Sequence, residues 1–263
     1  MKLDGAHVLL TGATGGLGQA IARALAARGA QLTLTGRRAD VLEPLARELG
    51  GRALAADLSV PDAPERLLAE AGEVHVLIAN AALPASGRLN SFSPEEIDRA
   101  LAVNLRAPMQ LAHGLVDGMV ERGSGHLLFM SSLSGRAAAT GSSVYTATKF
   151  GLRGFALALR EDLVSKGVGV SVILPGFIRD AGMFADSGAK LPPYIGTKRP
   201  EDVARAVIKA IEQNRAELDV APLPLRAGAV LAGLAPGPIG AIQRKLGAAA
   251  TAEQFERSQA DKR

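Results

Sequence analysis

Cysteine is absent from the 263 residues. That single absence removes disulfide frameworks, thiol catalysis and thiolate metal sites together. It suits a reducing compartment without proving one, and a cytoplasmic location is expected. Aromatic residues make up only 3% of the chain, which argues against the stacking platforms of single-stranded nucleic-acid binders. No apolar run approaches the ~20 residues that span a bilayer. Met1–Gly5 passes straight into an apolar run at His7–Leu10, so no secretory leader is expected. What is plentiful is apolar: 48% of residues are hydrophobic against 21% charged, ample for a buried core and incompatible with global disorder. The net charge of +4 leaves nucleic acid, a membrane surface or an anionic ligand open until the charges are located.

Short β-like runs alternate with helical patterns along the whole chain. Strands are predicted at His7–Leu10, Gln31–Thr35, Arg52–Ala56, Val74–Ile78, Gly125–Met130, Val168–Leu174 and Leu218–Ala221. Helices are predicted at Gly16–Arg28, Val41–Leu49, Ala63–Ala71, Val144–Ser165 and, as the last clear one, Pro200–Asn214. A further long helical region opens at Ser93, with Ser93 as N-cap, Pro94 in the first position and Glu96 completing a capping box. The almost pure Val/Ile/Leu of Val168–Leu174 marks a parallel strand buried on both faces. The expected fold is α/β, a single doubly wound parallel sheet with helices on both faces. No linker and no repeat divides it.

Thr11-Gly12-Ala13-Thr14-Gly15-Gly16-Leu17-Gly18 lies between the first strand and the first helix. Glycines in that position let backbone N–H groups approach a pyrophosphate at the positive end of the helix. A glycine-rich turn alone is a weak signal, and its place after the first strand is what strengthens it. The second strand ends in Gly36-Arg37-Arg38, where a carboxylate would select NAD(H) by binding its ribose hydroxyls. Two arginines there suit a 2′-phosphate instead, so NADP(H) is the preferred cofactor, with NAD(H) as the alternative. The plain structural reading is a solvated basic turn.

Tyr145 and Lys149 open a predicted helix with i,i+4 spacing, which puts phenol and ammonium on one face. A free tyrosine titrates near ~10, and a fixed ammonium beside it favours the phenolate. Tyr145 is then a candidate general acid–base toward a carbonyl or alcohol. Taken alone, the pair reads as an ordinary helical surface. Ser132, thirteen residues earlier and just past a strand, supplies a hydroxyl to hold a substrate oxygen. Asn104 is a polar residue in an apolar helical stretch, open to a helix break, a backbone hydrogen bond or a water relay.

With these residues in this order, the chain resembles the short-chain dehydrogenase/reductase family over nearly its full length. The motifs are Thr11-Gly12…Gly16-Leu17-Gly18, Asp57, Asn80-Ala81, Asn104, Ser132, Tyr145-x-x-x-Lys149 and Pro175-Gly176. The resemblance implies about seven strands in a Rossmann-type sheet and NAD(P)(H)-dependent carbonyl–alcohol chemistry. It implies a catalytic set of Asn104, Ser132, Tyr145 and Lys149. Cofactor binding is implied for Thr11, Gly12, Thr14, Gly16, Leu17, Gly18, Arg37, Arg38, Asp57, Leu58, Asn80, Ala81, Tyr145, Lys149, Pro175, Gly176 and Ile178. Within that set Asp57 is assigned to the adenine, Asn80 to a ribose, Lys149 to the nicotinamide ribose, and the Ile178 backbone to the carboxamide. Three departures stand out: Ala79 and Ala82 flank Asn80-Ala81 where the family has Asn and Gly, Gly15 replaces a basic residue common in NADP users, and Asp180 replaces a lid threonine.

Residues Phe177–Thr197 lack clear periodicity and are expected to form a substrate lid. Leu83, Leu133, Met183, Phe184, Leu191 and Tyr194 are candidate walls for a medium-sized apolar carbonyl or alcohol substrate. None of the four histidines sits at metal-ligand spacing, so no metal site is expected. A serine-hydrolase reading fails for want of a G-x-S-x-G elbow. A catalytically silent NADP(H)-binding sensor is the rival from another class, against which Ser132, Tyr145 and Lys149 speak. The catalytic domain is expected to span 1–221, with 222–263 as an extension packed on it or in a subunit interface. The extension's apolar Ala227–Ile242 is open to three readings: a dimer interface, a cover for the substrate entrance, or a membrane-surface contact, in that order. Thr251–Arg263 is expected to be frayed or weakly helical. A homodimer or homotetramer is expected, and nucleic acid is not, because no basic patch carries interleaved aromatics.

Overall fold

Strands rich in Val, Ile and Leu leave no polar face, so helices must cover them on both sides. A computed structural model describes residues 1–189, 191, 195–245, 254, 256, 258 and 259, and its sheet has that construction. The strands are β1 (His7–Thr11), β2 (Gln31–Gly36), β3 (Arg52–Ala55), β4 (Val76–Ala79), β5 (Gly125–Met130), β6 (Val168–Pro175) and β7 (Glu217–Val220). They form one seven-stranded sheet in the order β3-β2-β1-β4-β5-β6-β7, with all pairs parallel. All eight residues of β6 and all six of β5 are buried.

Alternation along each strand divides the core in two. Val8 and Leu10 face a layer with Ile21, Leu25, Leu42, Leu45, Val203, Val207 and Ile211. These come from α1 (Gly16–Ala26), α2 (Ala39–Glu48) and α8 (Pro200–Glu212). Leu9 faces the opposite layer, with Leu67, Leu111, Met119, Leu152 and Leu163. Those belong to α3 (Ala63–Ala71), α5 (Ala107–Glu121) and α6 (Ser143–Leu163). At ~25 cal/mol per Å² of apolar surface removed from water, these two layers are the main stabilising term.

Each predicted strand and bounded helix falls within two residues of an observed element. Ser93 and Glu96 do form the capping box, at the start of α4 (Pro94–Leu101). Between α4 and α5 the helix widens into a π turn at Ala102–Arg106, which contains Asn104. The lid region holds a short helix, α7 (Gly182–Ser187). Pro200–Asn214 is not the last helix, which corrects the expectation. α9 (Leu223–Leu234) and α10 (Pro236–Lys245) follow β7. Pro224 and Pro236 stand in their first turns, where a missing N–H costs nothing, and helical glycines cost only ~1 kcal/mol each. No helix among the described residues is long and apolar enough to cross a membrane.

Candidate active site

Strand order reverses direction at β1, whose neighbours β2 and β4 are reached by connections running to opposite sides. Such a switch point opens a crevice at the carboxyl ends of the strands. A cleft of about 730 Å³ lies there. Of the expected site residues, its walls include Gly12, Thr14, Gly16, Leu17, Gly18, Arg37, Arg38, Asp57, Leu58, Asn80, Ala81, Leu83, Ser132, Tyr145, Lys149, Pro175, Gly176, Ile178, Met183 and Phe184.

The turn before α1 is built for close approach. Gly12 has φ +66°, and a Cβ there would lie 2.7 Å from the Ala81 Cα. Asn80 Nδ2 donates to the Thr11 and Gly12 carbonyls at 3.0 and 3.2 Å, drawing the turn against the end of β4. Gly15 occupies the N-cap of α1 without a side-chain cap, and no acidic residue stands in the first turn. The leading N–H groups of a helix have no intrahelical acceptor, so this end is suited to an anion. Arg38 Nη2 donates to the Thr14 carbonyl at 2.7 Å, bridging the end of β2 and the turn. The residues present therefore fit a dinucleotide phosphate: a side-chain-free cradle, a helix N-terminus and adjoining guanidinium groups.

Asp57 Oδ1 accepts from the Ser59 N–H at 3.0 Å and from its hydroxyl at 2.8 Å. Partial burial works to raise the Asp57 carboxyl, but those bonds, with Arg37 and Arg99 nearby, outweigh it and hold the group below the usual range. Arg99, on α4, lines the cleft and escaped the sequence reading. Only packing brings it opposite Asp57, and no motif marks it.

At the other end, Ser132 ends the extended segment after β5, and its hydroxyl hydrogen-bonds the Tyr145 side chain. The Ser131 hydroxyl donates to the Lys149 carbonyl at 3.0 Å, pinning this segment to α6. Arg136 adds a second tie, donating to Asp219 at 3.0 Å and pairing with Glu217, which also pairs with Arg153 of α6. Lys149 is 1% exposed, and its Nζ donates to the Met130 carbonyl at 2.9 Å. Burial lowers its pKa to about 8. Protein also crowds the Tyr145 hydroxyl. Burial pushes the phenol up to about 12, against the opposing hydrogen bond with Ser132. In the ligand-free chain desolvation of the phenolate dominates.

Several expected residues stand behind the cleft wall. Thr11 is 1% exposed, and its Oγ1 accepts from the Asn80 and Ala81 N–H groups at 3.0 Å each. Asn104 is fully buried. Its Oδ1 accepts from the Leu83 N–H at 2.7 Å and its Nδ2 donates to the Leu83 carbonyl at 3.0 Å. The backbone hydrogen bond expected for Asn104 is present, and the residue lies in the π turn that interrupts the helix. Leu133 packs in the core and against Gly176, and Leu191 also lies off the cleft wall. Tyr194 lies outside the described residues. Asp180, with φ +71°, turns its side chain to Arg179 and is absent from the cleft wall. Ala181 takes the lid contact instead, standing where a Cβ on Gly16 would be. The tail also contributes: residues 254, 256, 258 and 259 are helical, and Gln259 is buried and lines the cleft.

Residues 6–192 match a family profile described as short chain dehydrogenase. The ketoacyl reductase HetN of Nostoc sp. is 37% identical over 85% of this chain and 81% of its own length. The 3-oxoacyl-[acyl-carrier-protein] reductase FabG of Escherichia coli is 32% identical over 68% of this chain and 75% of its own. Among solved structures, a short-chain dehydrogenase from Sphingobium yanoikuyae in complex with NADPH superposes with a TM-score of 0.76 and 28% identity. That match covers 90% of this chain and 95% of the other.

Proposed function

The chain belongs to the short-chain dehydrogenase family and is an oxidoreductase, and on that premise we propose that it interconverts a carbonyl and an alcohol with NADP(H). The observation that carries this reading is one continuous cleft with Ser132, Tyr145 and Lys149 in its wall together with Arg37, Arg38 and the α1 N-terminus. The relative solved with NADPH supports the cofactor class, and the two arginines support the preference for the 2′-phosphate form.

When bound, the nicotinamide would supply or accept the hydride at the substrate carbon. The chain's own residues handle the oxygen and its proton. The Ser132 hydroxyl donates to the substrate oxygen and holds it against Tyr145. In reduction, Tyr145 gives its phenolic proton to the carbonyl oxygen as the carbon gains hydride, and the phenolate is reprotonated from solvent. In oxidation the proton moves the other way. Lys149, held at the Met130 carbonyl, binds the nicotinamide ribose and lowers the energy of the phenolate by its charge. Asn104 acts as a positioning residue, fixing the Leu83 backbone beside the substrate.

Met183, Phe184 and Leu83 support a medium-sized apolar substrate. The other partner proposed is a second copy of this chain. An apolar groove of about 600 Å³ between α5 and α6, lined by Leu105, Met109, Val116, Phe155 and Leu159, is a surface that monomers rarely leave bare. Light scattering reads that mass directly. Turnover is tested with NADPH over a panel of apolar ketones and aldehydes. Oxidation of NADPH with at least one of them is expected; tight NADPH binding with no turnover on any would overturn the reading.

A further inference from the structure

Among the described residues, the C-terminal tail reaches the cleft through Gln259. Gln259 is 3% exposed and lines the wall beside Met183 and Phe184 of α7. Its Nε2 donates to the Met183 carbonyl at 3.4 Å. That contact also orients the amide, since only the NH₂ end can donate to a carbonyl. The other end, Oε1, is buried with no hydrogen-bond partner among the described residues. An acceptor removed from water and left unpaired costs stability, and a ligand donor removes that cost.

The position of α7 identifies which ligand lies within reach. Ala181 stands over Gly16 at the start of α1, and Gly182 lies over the Leu17 side chain. The next residue is Met183, the one Gln259 holds. The start of α7 therefore lies over the phosphate cradle, and Gln259 is tied to it. A nicotinamide dinucleotide offers O–H donors on its riboses and an NH₂ donor on its carboxamide.

Resting on the function proposed above, we infer that Gln259 is a dinucleotide-binding residue contributed by the tail. Its NH₂ group secures the lid at Met183, while Oε1 accepts a hydrogen bond from an O–H or N–H of the bound cofactor. Cofactor affinity then depends on a residue far along the chain from the glycine-rich turn.

Gln259→Met keeps the length and fill of the side chain and removes both hydrogen bonds. The test is NADPH titration by nucleotide fluorescence in full-length wild type and variant, with the melting temperature measured without nucleotide. The expected result is a three- to tenfold rise in the NADPH Kd, about what one hydrogen bond contributes, at an unchanged melting temperature. An unchanged Kd overturns the inference, even if a substrate KM shifts. A weakened Kd together with a large fall in melting temperature also overturns it, because Gln259 is then merely structural. Wild type that binds neither NADPH nor NADH overturns the underlying function and this inference with it. Wild type that binds, with the variant matching it, overturns this inference alone.

Discussion

The Lys149 ammonium stands 5.6 Å from the centre of the Tyr145 ring and donates to the Met130 carbonyl at 2.9 Å. Its hydrogen bond is to the end of β5. Burial dominates both groups, lowering the lysine to about 8 and raising the tyrosine to about 12. At neutral pH the tyrosine is therefore a loaded proton donor, suited to reduction without prior titration.

Tyr145→Phe removes that donor while leaving the ring over Lys149. kcat for ketone reduction should fall by about 10²–10⁴, the usual contribution of a positioned acid, while the NADPH Kd changes little. In the wild type, reduction should be flat across neutral pH and alcohol oxidation should rise with pH, since only oxidation needs the phenolate. A variant with unaltered kcat would sink the assignment of Tyr145.

Lys149 also makes a thermodynamic prediction. A lysine whose folded pKa lies below its unfolded value destabilises the fold fully at pH below the folded value. That cost is relieved as pH climbs from about 8 toward the ordinary lysine value of 10.5. The difference is on the order of 3 kcal/mol. Denaturant unfolding without nucleotide should show stability from this group rising between pH 8 and 10, before Tyr145 begins to oppose it above its own unfolded value of 10.0. Lys149→Met should flatten that slope, raise stability at pH 7 and abolish turnover. An equal slope in the variant would show that Lys149 is not the source.

Arg37 and Arg38 differ in their attachments and should separate experimentally. Arg37→Ala should weaken NADPH by about tenfold and leave NADH nearly unaffected, because it removes only a charge-assisted contact to the 2′-phosphate. Arg38 also bridges to the Thr14 carbonyl, so Arg38→Ala should weaken both nucleotides. Paired titrations with NADPH and NADH decide this. A wild-type preference for NADH would be incompatible with the arginine argument.

Two glycines of the same turn should fail for different reasons. A Cβ on Gly18 meets the Gly12 carbonyl and stands 2.7 Å from the Ala13 Cα, so backbone must move. Gly18→Ala should destabilise the ligand-free protein by about 1–3 kcal/mol, seen as a lower denaturation midpoint. A Cβ on Gly16 clashes with the Ala181 methyl of the lid, with the Ala181 Cα at 3.4 Å and the Gly182 N at 3.6 Å. Gly16→Ala should leave the midpoint nearly unchanged and weaken NADPH by displacing the lid. Equal loss of stability in both variants would contradict this division.

Much of the site was legible because its signals are local. The glycine turn follows a strand, Tyr145 and Lys149 share a helical face, and the Ser93–Glu96 capping box spans a single turn. Hydrophobic periodicity placed the strands and most helices for the same reason. Spacing does not record the contacts between distant segments. Asn104 belongs to a π turn whose amide is taken up by Leu83, twenty-one residues away. The Thr11 hydroxyl oxygen ties β1 to the end of β4.

The sequence by itself determined the alternating elements, the parallel sheet they form and the chemical groups available for proton and hydride work. These follow from periodicity and from residue type, both carried within a few turns of chain. Tertiary structure alone decided the electrostatic state of those groups and the full membership of the cleft. Desolvation of Tyr145 and Lys149 depends on everything packed around them, and Arg99 and Gln259 reach the wall from α4 and the tail. Spacing along the chain carries no record of either, because burial and long-range contact come into being only when the layers close.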